Sequence, residues 1–420
     1  MKRLLFLLGG GVIVLCLAVG GFCYWINIPP QIKIPTPVMP EPNGYDYFVR
    51  ASAAYVRDSK GVDKTTDLHF MPGKRYPIAA KETWLKQNAK ALHFLRKGLR
   101  YPALHPPTQP PYDPTPSEIQ FPELARTLVV ESHVRAAHDD WRGAVDSTLD
   151  GLKFGYDIQR GAAFTTSNII GNGVQEISLG VLSQLLPNLD ATLSRQTAVR
   201  MERLYKGRFP YFKTMEVEKH KEQADLLVLM NKDELPQILE GVLNVLDPHI
   251  SRWQKAKLFL TSKRTLLNDY TKKMDAYIAE GRLPYIKMQP VSASRNVFTR
   301  VWTSFDKNPR WNWARVQTNS SLIMTMLALR AFRLEKGHYP ARLKKLMPEY
   351  LREIPIDPFD GIAPLHYQLQ GNKYLLWSIG PDGVDNHGTP ITNLNERGRA
   401  RHLFLSPDSK GDVVAGINMP

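Results

Sequence analysis

Cysteine is almost absent from this chain, and its scarcity excludes several kinds of chemistry. The 420 residues include two cysteines, Cys16 and Cys23, both near the start. The rest of the chain therefore offers no disulfide, no thiol nucleophile and no thiolate zinc site. A glycine-rich phosphate loop, a His-Glu-x-x-His motif and a Gly-x-Ser-x-Gly motif are also missing from the sequence. The sequence therefore specifies no particular reaction.

Charged residues are missing between Leu4 and Ile26. As a helix, this run would be roughly 34 Å long, enough to cross a bilayer core. It is also longer than the apolar core of a cleaved signal peptide, which is about 7–15 residues. Lys2 and Arg3 precede it, so the positive-inside rule predicts a cytoplasmic N-terminus. We therefore expect residues 1–26 to be a retained transmembrane signal-anchor in a bacterial inner membrane, with the remainder of the chain periplasmic.

Acidic residues are outnumbered by basic ones. The chain has 55 Lys and Arg against 40 Asp and Glu, a formal net charge of +15. Such an excess favours anionic partners. Besides integral membrane association, we expect protein partners in the cell envelope, with anionic surfaces or cell-wall polymers as further candidates.

Proline and hydrophobic periodicity divide the chain after the anchor. Residues 27–44 are proline-rich and predict a semi-rigid stalk. Residues 45–296 read as an irregular helical domain, in which a second proline-rich stretch between Tyr101 and Pro122 predicts a loop. Its clearest helix runs from Ile170 to Leu185. The predicted fold class is thus a mainly α-helical body, followed at 297–420 by a small α+β domain.

The C-terminal domain begins with a long helix between Asn308-Pro309 and Gly337, which are start and stop signals. A short amphipathic helix is predicted around Ala341–Tyr350. The strands Leu365–Leu369 and Lys373–Ile379 alternate in polarity, and Gly371-Asn372 between them favours a two-residue hairpin turn.

Three motifs follow one another in this domain: Gly337–Pro340, Asp357–Gly361 and Gly380–Gly383. In this order, residues of about 310–390 resemble the globular head of the type II secretion pseudopilins, and the overall layout resembles membrane-anchored bacterial envelope proteins. The resemblance implies a long helix on an antiparallel hairpin and a role in assembly, related to secretion machinery, rather than in catalysis.

The same resemblance implies a calcium site, because the loop after the hairpin holds calcium in some pseudopilins. Asp382, Asp385 and Asn386 supply three side-chain oxygens there. Calcium takes 6–8 oxygen ligands, so backbone carbonyls and water would complete such a site. The alternative is an ordinary Asp/Asn/Gly turn.

Two clusters resemble catalytic or metal sites. Glu131, His133 and His138 would serve an extracytoplasmic hydrolase, although a helix end with Glu131 paired to Arg135 explains the same pattern. Glu216 and His220 have chelating spacing, but they lie in a highly charged run that is typical of a solvated helix face. We therefore assign no catalytic residue.

Arginines and tryptophans alternate in the 295–315 segment, as in single-strand nucleic-acid grooves. Envelope nucleic-acid binding is thus a further alternative. Large aromatics are mostly buried, so we favour a seam in which Trp302, Trp311 and Trp313 pack between the helical body and the C-terminal domain. The sequence does not decide between an enzyme and a binding protein, and an interaction or assembly component is the favoured interpretation.

Overall fold

The computed structural model describes residues 2–28, 30–57, 77–106, 120–162, 166–231, 251–303, 309–394, 400–401 and 405–418. Within them the chain is mainly helical. The α-helices are, in chain order, α1 (Lys2–Asn27), α2 (Gly44–Ala54), α3 (Ile78–Gln87), α4 (Ala89–Gly98), α5 (Phe121–Ala137), α6 (Trp141–Gln159), α7 (Thr166–Leu185), α8 (Ala191–Lys206), α9 (Tyr211–Asn231), α10 (Arg252–Phe259), α11 (Lys263–Gly281), α12 (Val297–Trp302) and α13 (Pro309–Lys336). Most of the second proline-rich stretch, 107–119, lies outside the described residues, as do Phe305 and Lys307.

Local sequence signals set several helix ends. The Asp140 side chain caps α6 by accepting a hydrogen bond from the Gly143 N–H at 2.8 Å. Asp190 caps α8 through the Leu193 N–H at 2.7 Å, and Gly207 ends the same helix. These side chains satisfy backbone groups that a helix terminus leaves unpaired.

Several apolar cores position the helices, and two of them hold the C-terminal sheet and α4 in place. The larger joins α6, α7 and α8 to α13 and to the C-terminal sheet, so Leu182 and Leu322 share one core on either side of residue 297. The second brings α2, α4, α5 and α6 together. In it, the Phe154 ring lies edge-to-face with Phe48 and Phe121, at centroid distances of 4.8 and 5.4 Å. This second core fixes α4 beside α5.

The C-terminal sheet contains β1 (His366–Gln370), β2 (Lys373–Ser378) and β5 (Val413–Val414) in the order β1-β2-β5. The strands are antiparallel, and Gln370 pairs with Lys373 across Gly371-Asn372. The predicted hairpin is therefore confirmed. A separate pair joins β3 (Asn393–Leu394) to β4 (Ala400–Arg401).

The short helix predicted around Ala341–Tyr350 is only the 3-10 turn Leu343–Leu346. Pro348 explains the difference. Proline lacks the N–H that an α-helix needs and disfavours helical backbone in the residue before it.

The prediction of a transmembrane anchor over residues 1–26 is wrong. In the part of the chain that the structure describes, no helix has both the length and the apolar character needed to cross a membrane. The predicted signal-anchor, single-pass topology and inner-membrane, periplasmic localisation are corrected with it.

Candidate functional site

Glu131, on α5, is a fixed anion. Its carboxylate accepts hydrogen bonds from Ser147 Oγ at 2.7 Å, from Arg96 Nη1 at 3.2 Å and from Arg135 Nη2 at 3.3 Å. Burial opposes its ionisation, but the hydrogen bonds and the charge of Arg96 outweigh burial and hold the pKa of Glu131 below its ordinary value. A carboxylate held in this way positions its cationic partners and is unsuited to accept a substrate proton.

Arg96 is the partner that this arrangement orients. Its Nε also donates to Asp150 Oδ2 at 2.9 Å, so carboxylates on two different helices hold one guanidinium. Charge-assisted hydrogen bonds of this kind fix both direction and distance. Helices α5 and α6 therefore set the position of a cation that α4 supplies.

Arg96 lines a cavity of about 660 Å³ beside α4, which we name the cationic cavity. Four permanent cations line it against one carboxylate, which is already paired. Its wall consists of Leu85, Lys86, Ala89, Leu92, His93, Arg96, Lys97, Arg100, Tyr101 and Glu131.

The sequence carries a signal for this cavity that was not among the predicted sites. Basic residues and one histidine recur at spacings of four, three, four and three, the spacing of one face of a continuous helix. They are Lys86, Lys90, His93, Lys97 and Arg100. On the opposite side of α4, Ala91 and Leu95 are fully buried.

Tyr47 supports this face from α2. The Nζ of Lys97 and the guanidinium of Arg50 each lie 5.1 Å from the centroid of its ring, within the range of a cation–π interaction. The ring also stacks on Tyr101 at 5.5 Å. The second helix thus holds cations and an aromatic wall residue in place.

His133 and His138 do not join Glu131. The ring nitrogens of His133 are buried and have no hydrogen-bond partner among the described residues. Burial, with the charge of Lys81, lowers the pKa of His133 to about 4. His138 is exposed, and its Nε2 contacts Glu82 Oε1 at 2.7 Å. The three side chains of the hydrolase alternative therefore face different neighbours.

Glu216 and His220 also separate. Glu216 forms ion pairs with Lys213 and Arg282, each at 2.7 Å, as expected for a solvated helix face. His220 instead lines a second cavity, and burial lowers its pKa.

The tryptophans of the 295–315 segment are partly buried. Trp302 Nε1 donates to Glu222 Oε2 at 2.7 Å, and Trp313 Nε1 donates to the Phe209 carbonyl at 3.4 Å. Trp311 packs against the larger core. The neighbouring Arg310 is buried in an ion pair with Glu280. The described part of this segment thus has the packing of a seam and lacks an exposed stacking groove.

Asp382, Asp385 and Asn386 hold the loop after the hairpin. Asp382 accepts from the Gly411 N–H at 3.1 Å, and Asp385 accepts from Trp377 Nε1 at 2.9 Å. The Asn386 amide donates to the Val384 carbonyl at 3.2 Å. Among the described residues, no three His, Cys, Asp or Glu side chains are grouped so that they could hold a metal ion.

Comparison with known proteins identifies no relative of this chain. No protein-family model matches the chain, and no curated protein or solved structure is significantly similar to it. The resemblance of residues 310–390 to pseudopilin heads stays a prediction. The functional interpretation therefore rests on the contacts within this chain.

Proposed function

We propose that this chain is an interaction component that binds an acidic segment of a protein partner in the cationic cavity. The observation that carries the proposal is the fixed guanidinium of Arg96, held by Glu131 and Asp150 and flanked in the same cavity by the exposed cations Lys86 and Arg100. A held cation loses little freedom when it binds an anion, which favours binding.

Electrostatics support an anionic ligand. Lys86, Arg96, Lys97 and Arg100 share one cavity, and like charges in one concave site repel each other. An incoming carboxylate relieves that repulsion and gains charge-assisted hydrogen bonds. The attraction decreases with added salt, because exposed charges are screened within roughly 8–10 Å at physiological ionic strength.

The shape and lining of the cavity favour a protein ligand over a nucleic acid. The basic residues run from Lys86, on α3, to Arg100, just after the end of α4, which suits a short acidic segment. Leu85 and Leu92 make part of the cavity wall apolar, and the centres of protein–protein interfaces are also apolar. Tyr101 is the single aromatic residue in the described wall, whereas single-stranded nucleic acids stack on several aromatics. The resemblance to pseudopilin heads, which assemble rather than catalyse, supports the same role.

The test is binding of a fluorescein-labelled oligoglutamate peptide to the full chain, followed by fluorescence anisotropy at low and physiological salt. The double substitution Lys86→Glu with Arg100→Glu should weaken binding. An exposed ion pair contributes about 0.2–1 kcal/mol, so the loss of two pairs corresponds to roughly a two- to thirty-fold higher Kd.

The matched control is Lys287→Glu with Arg295→Glu, which makes the same change of net charge at exposed positions outside the cavity. This control variant should keep most of the affinity for the peptide. Equal weakening by both double variants would show a general charge effect and refute the site. Tighter binding of single-stranded DNA than of the peptide, lost in the cavity variant, would show that the cavity takes nucleic acid and would refute an acidic protein segment as its ligand.

A further inference from the structure

We infer that Ser167 and His105 form a nucleophile–base pair that hydrolyses small neutral carboxylic esters, an activity separate from the proposed binding function. Ser167 Oγ lies 3.1 Å from His105 Nε2, and His105 Nδ1 lies 2.7 Å from the carbonyl oxygen of Pro106. A nucleophile within hydrogen-bond reach of a base, with the base oriented by a third group, is the common arrangement of serine hydrolases.

The contacts of the imidazole determine its tautomer. A carbonyl oxygen only accepts hydrogen bonds, so Nδ1 must carry the proton that it donates to Pro106. The other nitrogen, Nε2, then accepts the hydrogen bond from the Ser167 hydroxyl. In this tautomer Nε2 faces the hydroxyl whose proton a general base must take.

The histidine is held in place from several sides. Asn43 fixes the preceding residue, because its Oδ1 accepts from the Leu104 N–H at 3.0 Å and its Nδ2 donates to the Leu104 carbonyl at 2.9 Å. The His105 N–H donates to the Arg160 carbonyl at 2.9 Å. The Tyr45 ring lies 4.9 Å from the imidazole. Such support keeps a base in one productive orientation.

Both side chains face a cavity of about 290 Å³ with apolar walls that include Ile34, Pro35 and Val217. Ile34 and Pro35 belong to the proline-rich segment predicted as a stalk, which thus contributes to this wall. The volume suits a ligand at the small end of the range for binding pockets, such as an ester with a short acyl chain. Ser167 and His105 are only 8% and 7% exposed, so the cavity shields them from bulk water.

Charge around the cavity suits a neutral substrate and an anionic transition state. Lys221, in the wall, already pairs with Asp225 at 2.9 Å. Ser167 lies in the first turn of α7, where the positive end of the helix dipole stabilises nearby negative charge. The oxygen of a tetrahedral intermediate on Ser167 would develop its charge next to this helix end.

The reaction proceeds in two balanced steps. Ser167 Oγ attacks the ester carbonyl carbon while His105 Nε2 takes the hydroxyl proton. The bond from carbon to the alcohol oxygen then breaks, and Nε2 returns the proton to the departing alcohol. A solvent water next gives its proton to Nε2 and attacks the acyl-serine. As the bond between the acyl carbon and Oγ breaks, Nε2 returns that proton to Oγ, which releases the acid and restores the serine hydroxyl.

The test uses the full chain with two probes: p-nitrophenyl butyrate, for turnover, and a fluorophosphonate, which labels activated serines. We expect turnover and a single label on Ser167. Ser167→Ala should lose both, and His105→Gln should reduce turnover by roughly 10²- to 10⁴-fold, the usual contribution of a general base. Ser183→Ala, on the same helix but outside the cavity, is the matched control and should behave as the wild type.

Far-UV circular dichroism melting would confirm that each variant is folded. Two results from a folded chain would overturn the inference: an unlabelled native protein, or turnover that persists in Ser167→Ala. Failure of the binding proposal would not affect this inference, because the two cavities share no lining residue.

Discussion

Replacing His133 by leucine should remove a source of acid sensitivity. Both ring nitrogens are buried and without a hydrogen-bond partner among the described residues. Burial, and then the charge of Lys81 on α3, lower the pKa of His133 from 6.5 to about 4. The unfolded chain therefore takes up a proton that the folded chain resists, and the free energy of unfolding falls as the pH drops from 6.5 toward 4.

The size of this effect follows from the two pKa values. The difference between 6.5 and about 4 corresponds to roughly 3 kcal/mol when complete. Between about pH 7 and about pH 5, the linkage relation gives a loss of about 2 kcal/mol in the free energy of unfolding. Leucine has no proton to gain, so the variant should lack this part of the loss.

The measurement is urea unfolding at these two pH values, followed by far-UV circular dichroism. His138→Leu is the matched control, because that side chain lies at the end of the same helix and is 60% exposed. It should keep the acid sensitivity of the wild type. If His133→Leu lost stability on acidification as steeply as the wild type, the buried imidazole would not be its cause.

Two further substitutions test the contacts that shape the fold. Glu131→Gln should lower the free energy of unfolding by about 1–3 kcal/mol, because it takes an anionic partner from Arg96; an unchanged urea midpoint would show that the pair adds no stability. Gly380→Ala should destabilise more than Gly371→Ala in thermal melts. Both glycines have positive φ, a conformation that costs other residues about 1–2 kcal/mol. A Cβ at Gly380 would in addition lie 2.4 Å from the Gly411 oxygen. None of the described atoms lies within 4 Å of a Cβ at Gly371. Equal melting temperatures for the two variants would contradict this steric reasoning.

The sequence predicted local structure correctly where residues close together in the chain determine it. Asp140 and Gly207 mark helix ends because each one acts on backbone groups within a few positions. Gly371-Asn372 set the hairpin register for the same reason. The prediction of a short helix around Ala341–Tyr350 was wrong, because Pro348 disfavours α-helix there whatever the amphipathic pattern. The transmembrane prediction relied on an apolar run alone, and the described helices do not bear it out.

The candidate sites depended on packing between distant parts of the chain. Glu131 is visible in the sequence, but only the contact of α4 with α5 and α6 pairs it with Arg96 and separates it from His133. Ser167 and His105 are 62 positions apart, and no motif links them. The sequence by itself determined the longer helices, the hairpin and the excess of positive charge. Only the tertiary structure decided which charges are buried or paired and which side chains meet, because those depend on long-range contacts that no local pattern encodes.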